Sequence, residues 1–152
     1  MLYFKQFLHP QSSEWVVFIH GAGGSSAVWH KQLRDFQKDF NLLLIDLRGH
    51  GKSTEMPQAI WEMQYTFEVV TRDILEVLDH LQIPPAHFMG VSLGTILARQ
   101  LAEMAPTRVK SLVMAGAVTR LTVQSRILVF LGNTFKRIIP YMWLYKLFAF
   151  VI

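Results

Sequence analysis

The clearest chemical arrangement in this sequence is Gly90-Val91-Ser92-Leu93-Gly94, a serine with a glycine two residues to either side. It follows the apolar pair Phe88-Met89 and runs into the helix-like stretch ILARQLAEM. A strand that turns sharply into a helix forces neighbouring backbones together, so Gly90 and Gly94 leave room while the turn lifts the Ser92 hydroxyl out of the fold. Such a serine is a candidate nucleophile. Phosphate binding, the other use of a glycine-rich strand-to-helix turn, requires the spacing and Lys of a P-loop or the G-x-G-x-x-G of a dinucleotide site, and neither is present here.

Two further loops carry reactive or donor groups. His20-Gly21-Ala22-Gly23-Gly24-Ser25-Ser26 is a run of small residues that permits tight turning and close approach of backbone N–H groups to a ligand. Asp46-Leu47-Arg48-Gly49-His50-Gly51-Lys52-Ser53 gathers an acid, a guanidinium and an imidazole. One carboxylate and one imidazole are a poor metal set, since zinc takes three or more protein ligands, so no metal is expected. The expected role is a hydrogen-bonded loop in which Asp46 orders nearby backbone and Arg48 pairs locally. His20, beside the glycine-rich turn, is expected to hold that loop. His30, His80 and His87 read as helix-surface, helix-end and pre-strand histidines without a catalytic role.

The elements that must position these groups follow from periodicity. Residues 2–8 read as a short strand, and Trp15 to Ile19, Leu42 to Ile45, His87 to Gly90 and Val109 to Met114 as short apolar runs suited to strands covered on both faces. Between them lie a helix starting near Ser26, with Trp29, Leu33, Phe36 and Phe40 inward, and a clear helix from Tyr65 to Leu81. In the second, Val70, Ile74, Val77, Leu78 and Leu81 face the core, Arg72, Asp73, Glu76 and Asp79 face elsewhere, and Pro84-Pro85 supply the stop. The helix after Ser92 buries Leu93, Ile96, Leu97 and Leu101. Strands alternating with helices predict an α/β three-layer sandwich with a mostly parallel sheet, and a ligand site beyond the carboxyl ends of the strands.

Composition narrows the function classes. The chain has 152 residues, 51% of them apolar, and no Cys, which excludes disulfides, thiolate nucleophiles and zinc-thiolate or iron–sulfur ligation by this sequence. The net charge of +4 does not signal nucleic acid: residues 1–118 hold ten Lys and Arg against eleven Asp and Glu. The excess lies in Arg120, Arg126, Lys136, Arg137 and Lys146, scattered among aromatic and branched residues rather than clustered as a groove-reading arm. The apolar run at 141–152 is too short to span a bilayer. It suits a lid facing a substrate pocket, with membrane-surface contact as a minor alternative. Residues 1–9 lack the pattern of a signal peptide, so a cytoplasmic location is expected.

Together, HGAGGSS after one strand, DLRGHGKS after the next and GVSLG at the turn resemble the α/β-hydrolase family, in the branch that carries a cap domain. The resemblance implies the N-terminal half of a hydrolase core over 1–118 and the start of a helical cap or lid over 119–152. It implies Ser92 as nucleophile and the backbone N–H of Leu93 as one oxyanion donor, with Ala22, or Gly23 in its place, supplying the second. His20, Gly21, Asp46 and Arg48 become loop supports, and no cofactor is implied. The family sets its acid and histidine after the cap, in the order Ser, acid, His. No Asp, Glu or His follows Glu103 here. The expectation is therefore a fold incomplete on its C-terminal side, with the 109–114 strand left as an open edge for dimerisation or completion by a second segment.

The implied activity is hydrolysis of a small apolar ester or related carbonyl compound through an acyl-enzyme, dependent on that absent Asp and His. A non-catalytic binding or assembly protein is the alternative from another class. Carbon–carbon bond hydrolysis or an aminopeptidase reaction stays open within the same fold.

Overall fold

The computed structural model describes residues 1–54, 66–117, 130 and 134. Met1–Ala117 form one compact unit. The expected cap over 119–152, apart from residues 130 and 134, and the possible membrane contact over 141–152 lie outside the described residues.

Five strands make one sheet: β1 (Phe4–Phe7), β2 (Trp15–Ile19), β3 (Asn41–Ile45), β4 (Ala86–Val91) and β5 (Val109–Ala115). Their order is β1-β3-β2-β4-β5. β1 runs antiparallel to β3, while the β3–β2, β2–β4 and β4–β5 pairs are parallel. Parallel neighbours need crossover connections, and three helices supply them: α1 (His30–Phe36), α2 (Phe67–His80) and α3 (Leu93–Met104).

Strand periodicity divides the core in two. Val17, Ile19, Leu43, Ile45 and Phe88 point to one face and pack with Ile74, Val77 and Leu78 of α2 and Leu97, Ala98 and Leu101 of α3. Val16, Phe18, Leu42 and Leu44 point to the other, where Trp29 and the half-buried Leu33, Phe36 and Phe40 cover them. Phe18 is the centre of that layer, its ring 5.0 Å from Trp29 and edge-on to Phe36 at 5.4 Å. The result is a three-layer α/β sandwich. Its side chains alternate because strand residues i and i+1 face opposite ways.

Local departures from the sequence expectations have physical causes. The first helix opens with a 3₁₀ turn (Ser26–Trp29), capped by the Ser25 hydroxyl accepting from the Ala27 N–H. α2 is capped by Thr66, whose hydroxyl accepts from the Val69 N–H. It stops before the two prolines, because Gln82 takes a left-handed conformation (φ 52°) and the Ile83 N–H reaches back to the Leu78 carbonyl. Asp73, expected to face away from the core, is buried. In α3 the buried set is Gly94, Thr95, Leu97, Ala98 and Leu101, whereas Leu93 and Ile96 are only half-buried. Among the described residues β5 pairs on one side only, and Val113 and Met114 are exposed.

Candidate active site

The carboxyl ends of β2, β3 and β4 bring together the three loops singled out by residue type. Ser92 links β4 to α3 with φ 51° and ψ −116°. A non-glycine residue at positive φ costs on the order of 1–3 kcal/mol and persists only where its surroundings enforce it. Here they do so from both sides. The Ser92 N–H donates to the Ala115 carbonyl of β5 (3.1 Å), and the Ser92 carbonyl accepts from the Thr95 N–H (2.9 Å) and the Thr95 hydroxyl (2.7 Å). The side chain is left exposed. Thr95 was not singled out from the sequence; its signal is a hydroxyl three residues into a helix, where it can tie the turn below it.

The flanking glycines are where the elements touch. A Cβ on Gly94 would lie 2.8 Å from the Ile19 carbonyl carbon and 3.0 Å from the His20 carbonyl oxygen, so α3 rests directly on the end of β2. A Cβ on Gly90 would sit 2.5 Å from the Gly94 carbonyl carbon and 2.8 Å from the Thr95 nitrogen. Both contacts are with backbone, which cannot step aside as a side-chain tip can. Gly21 lies against the nucleophile candidate itself: its Cβ position is 3.3 Å from Ser92 Cβ and 3.9 Å from Ser92 Oγ. Beyond it the chain turns through Ala22 and Gly23 (φ 72°), both exposed, and the Gly24 N–H closes the turn on the Gly21 carbonyl at 3.2 Å. The loop holding Ala22 and Gly23 thus starts beside the Ser92 side chain.

His20 is fully buried beneath this loop. The Leu47 N–H can only donate, so His20 Nε2, 3.0 Å away, is the unprotonated nitrogen. Nδ1 then carries the proton and donates to the Gly21 carbonyl at 2.7 Å. Burial pushes this imidazole below its ordinary pKa, and the neighbouring His50, whose ring centre is 5.3 Å away, acts in the same direction; the Gly21 carbonyl and Asp46 oppose them. Both ring nitrogens are committed, and the ring ties the glycine-rich loop to the Leu47 backbone. His50 Nδ1 is bonded to the Arg48 carbonyl at 2.9 Å.

Asp46 is a hub. Its Oδ1 accepts from the Ser26 N–H (2.7 Å) and its Oδ2 from the Lys52 N–H (2.9 Å), while its backbone carbonyl accepts from the Ser53 hydroxyl (2.7 Å). Burial raises its pKa, but these N–H donors, the Ser26 hydroxyl and His20 outweigh that and hold the carboxyl below its ordinary value. Gly51 (φ 50°) is required here, since a Cβ on it would fall 2.6 Å from Asp46 Cγ. Ser53 also accepts from the Tyr3 N–H at 2.8 Å, fastening the start of the chain to this loop.

Arg48 reaches across the fold to α2, a partner the sequence did not suggest. Its Nε and one terminal nitrogen each donate at 2.7 Å to the two oxygens of Asp73 on α2, with both side chains at most 10% exposed. Leu47, Arg48, His50, Phe67, Val70, Leu93 and Leu97 line a half-open, mostly apolar pocket of about 110 Å³. Among the described residues no group of three or more His, Asp or Glu is disposed to hold a metal ion.

A mostly parallel sheet layered between helices, with a strained serine at a strand-to-helix turn and a glycine-rich loop beside it, defines a class of proteins that work at the carboxyl ends of their strands. The sequence model of the alpha/beta hydrolase fold family matches residues 14–135, and the chain belongs to that family. It is 29% identical over 106 residues to 3-oxoadipate enol-lactonase 2 of Acinetobacter baylyi, covering 70% of this chain and 38% of that one. With proline iminopeptidase of Arabidopsis thaliana it shares 36% identity over 116 residues, covering 76% of this chain and 29% of that one. The crystal structure of a hydrolase from Pseudomonas aeruginosa PA01 superposes with a TM-score of 0.74 at 30% identity, covering 87% of this chain and 48% of that one. The chain spans about two fifths of the length of the first curated relatives it matches. Among the described residues no helix is long and apolar enough to cross a membrane.

Proposed function

We propose that the whole protein is a serine hydrolase that cleaves a small apolar ester or related carbonyl compound through an acyl-enzyme. The observation that carries this reading is the backbone of Ser92, held at φ 51° between β4 and α3 with its side chain exposed beside Gly21. Ser92 Oγ attacks the carbonyl carbon, the oxyanion takes hydrogen bonds from the N–H groups of Leu93 and of Ala22 or Gly23, the alcohol departs, and water releases the acid. Leu93 is the first residue of α3, so its N–H has no partner within the helix. Loss of one such donor costs about 2.7–4 kcal/mol of transition-state stabilisation. The apolar pocket lined by Leu93 and Leu97 supports a small apolar substrate group. The enol-lactonase relative, by its name, acts on a lactone, a cyclic ester.

Ser92 needs a base, and His20 is already committed at both nitrogens. No His, Asp or Glu follows Glu103 in this sequence, so the proposal takes acid and base from outside residues 1–152. Replacing Ser92 by Ala in the whole protein is expected to abolish hydrolysis of a short-chain p-nitrophenyl ester. Undiminished turnover would remove Ser92 from the chemistry.

A second reading is a binding or assembly protein that keeps the pocket without the chemistry. It is favoured by one observation: among the described residues, no imidazole is bonded to the Ser92 hydroxyl. The same ester assay separates the two, since a binding protein gives no turnover with Ser92 intact. Peptide-bond cleavage is the alternative within the hydrolase reading, supported by the iminopeptidase relative.

A further inference from the structure

At the amino ends of the strands, opposite Ser92, a second serine is hydrogen-bonded to an imidazole, with a carboxylate at ion-pair distance from the far ring nitrogen. Ser111 and His87 are register partners on β5 and β4, and Glu14 immediately precedes β2. Ser111 Oγ is 2.7 Å from His87 Nδ1, and His87 Nε2 is 3.3 Å from Glu14 Oε2. Lys110 Nζ holds both Glu14 oxygens, at 2.7 and 2.6 Å, and keeps that carboxyl ionised by lowering its pKa. The ring of Phe40 stands edge-on to His87 at 6.1 Å.

An ionised carboxylate only accepts, so the neutral tautomer that suits Glu14, 3.3 Å away, carries its proton on His87 Nε2. In the neutral imidazole Nδ1 is then the lone-pair nitrogen, and the Ser111 hydroxyl must donate to it. A hydroxyl donating to an imidazole whose far side faces a carboxylate is the relay that activates serine nucleophiles. In the 152-residue chain Ser111 is exposed, so a small electrophile can reach it there.

We propose that Ser111 is a second nucleophile, activated by His87 and Glu14, that accepts an acyl or phosphoryl group from a small activated ester. With a fluorophosphonate, Ser111 Oγ forms a bond to phosphorus, the phosphorus–fluorine bond breaks and fluoride leaves. The hydroxyl proton passes to His87 Nδ1, and the resulting imidazolium faces Glu14. β5 continues as a strand through Ala115, so no helix N-terminus follows Ser111 to stabilise an oxyanion, and the group is retained rather than turned over. Lys110 shares the charge of Glu14, which makes the activation weaker than in a dedicated enzyme site.

The test is fluorophosphonate labelling of the 152-residue chain carrying Ser92→Ala, with adducts located by peptide mass spectrometry. Ser13, exposed and with no imidazole bonded to it among the described residues, is the internal reference. Ser111 is expected to label about tenfold faster than Ser13 or more, and His87→Gln to remove that advantage while the thermal melt stays unchanged. Equal labelling of Ser111 and Ser13 overturns the proposal, as does an undiminished rate in a folded His87→Gln chain. If His87→Gln does not fold, the Ser111-to-Ser13 ratio in the Ser92→Ala chain decides alone.

Discussion

Replacing Asp73 by Ala is a severe perturbation because of what it leaves behind. Arg48 and Asp73 form a two-point ion pair at 2.7 Å with side chains 10% and 8% exposed. Removing one member of a buried pair strands the other charge, which costs about 3–5 kcal/mol, whereas replacing both by apolar residues of similar volume is often neutral. Arg48 has a further partner, so the lower end applies. Against a typical total of about 5–15 kcal/mol, a loss of about 3 kcal/mol takes a large share of the stability. With a slope of about 2 kcal/mol per M, the urea midpoint falls by about 1.5 M. The double variant Arg48→Met/Asp73→Leu is expected to recover part of that fall, because neither member of the pair is left facing an empty site, although the further contact of Arg48 is also lost. A midpoint change below about 0.25 M for Asp73→Ala, equivalent to about 0.5 kcal/mol, would refute the reasoning: the pair would then be a surface-like contact in energetic terms.

Other outcomes follow from the same geometry. His20 has a depressed folded pKa, so the unfolded chain takes up its proton first; its contribution to stability is complete above the ordinary value of 6.5 and is lost as pH falls through the window below it. Urea midpoints between pH 8 and pH 5 should therefore fall less steeply in His20→Gln, and an unchanged slope would show that this ring does not titrate with folding. Gly94→Ala drives a methyl into the backbone of Ile19 and His20 and should cost about 3 kcal/mol or more, whereas Gly116→Ala meets nothing within 4 Å and carries only the strain of φ 61°, about 1–2 kcal/mol. Equal melting temperatures for those two variants would contradict the close-contact account of the elbow. Among the described residues β5 pairs on one side only and exposes Val113 and Met114; through that strand the 152-residue chain is expected to self-associate in sedimentation velocity, and Met114→Lys to shift it toward monomer. A monomer before substitution would show that the edge is protected.

Legibility in the sequence depended on how local the determining contacts are. The apolar runs located β2 to β5 nearly to the residue; β2 and β3 are buried on both faces and so have no polar alternation to blur them, while β5 kept its apolar run although it is mostly exposed. Gly90, Ser92 and Gly94 announced the turn through spacing alone, since the close approach of α3 to β2 permits only glycine. The Asp46 hub was partly readable as a carboxylate followed by backbone donors, but its bond to the Ser26 N–H spans 20 residues and needed the fold. Asp73 was misplaced because a carboxylate on a helix defaults to water unless its partner is known, and Arg48 lies 25 residues earlier. The α2 stop was assigned to prolines when a left-handed Gln82 makes it, a position where Gly or Asn is the usual signal. The contacts of His87 with Ser111 and Glu14 were not legible, because they join residues far apart in the chain.

The central claim is that Ser92 forms a covalent acyl intermediate. Rapid acid quench of the whole protein during turnover of a short-chain p-nitrophenyl ester, followed by peptide mass spectrometry, tests it directly. The account predicts a single acyl group on the peptide bearing Ser92, lost in Ser92→Ala together with turnover. Ester turnover with no acyl group on Ser92, or with the acyl group required elsewhere, would contradict it.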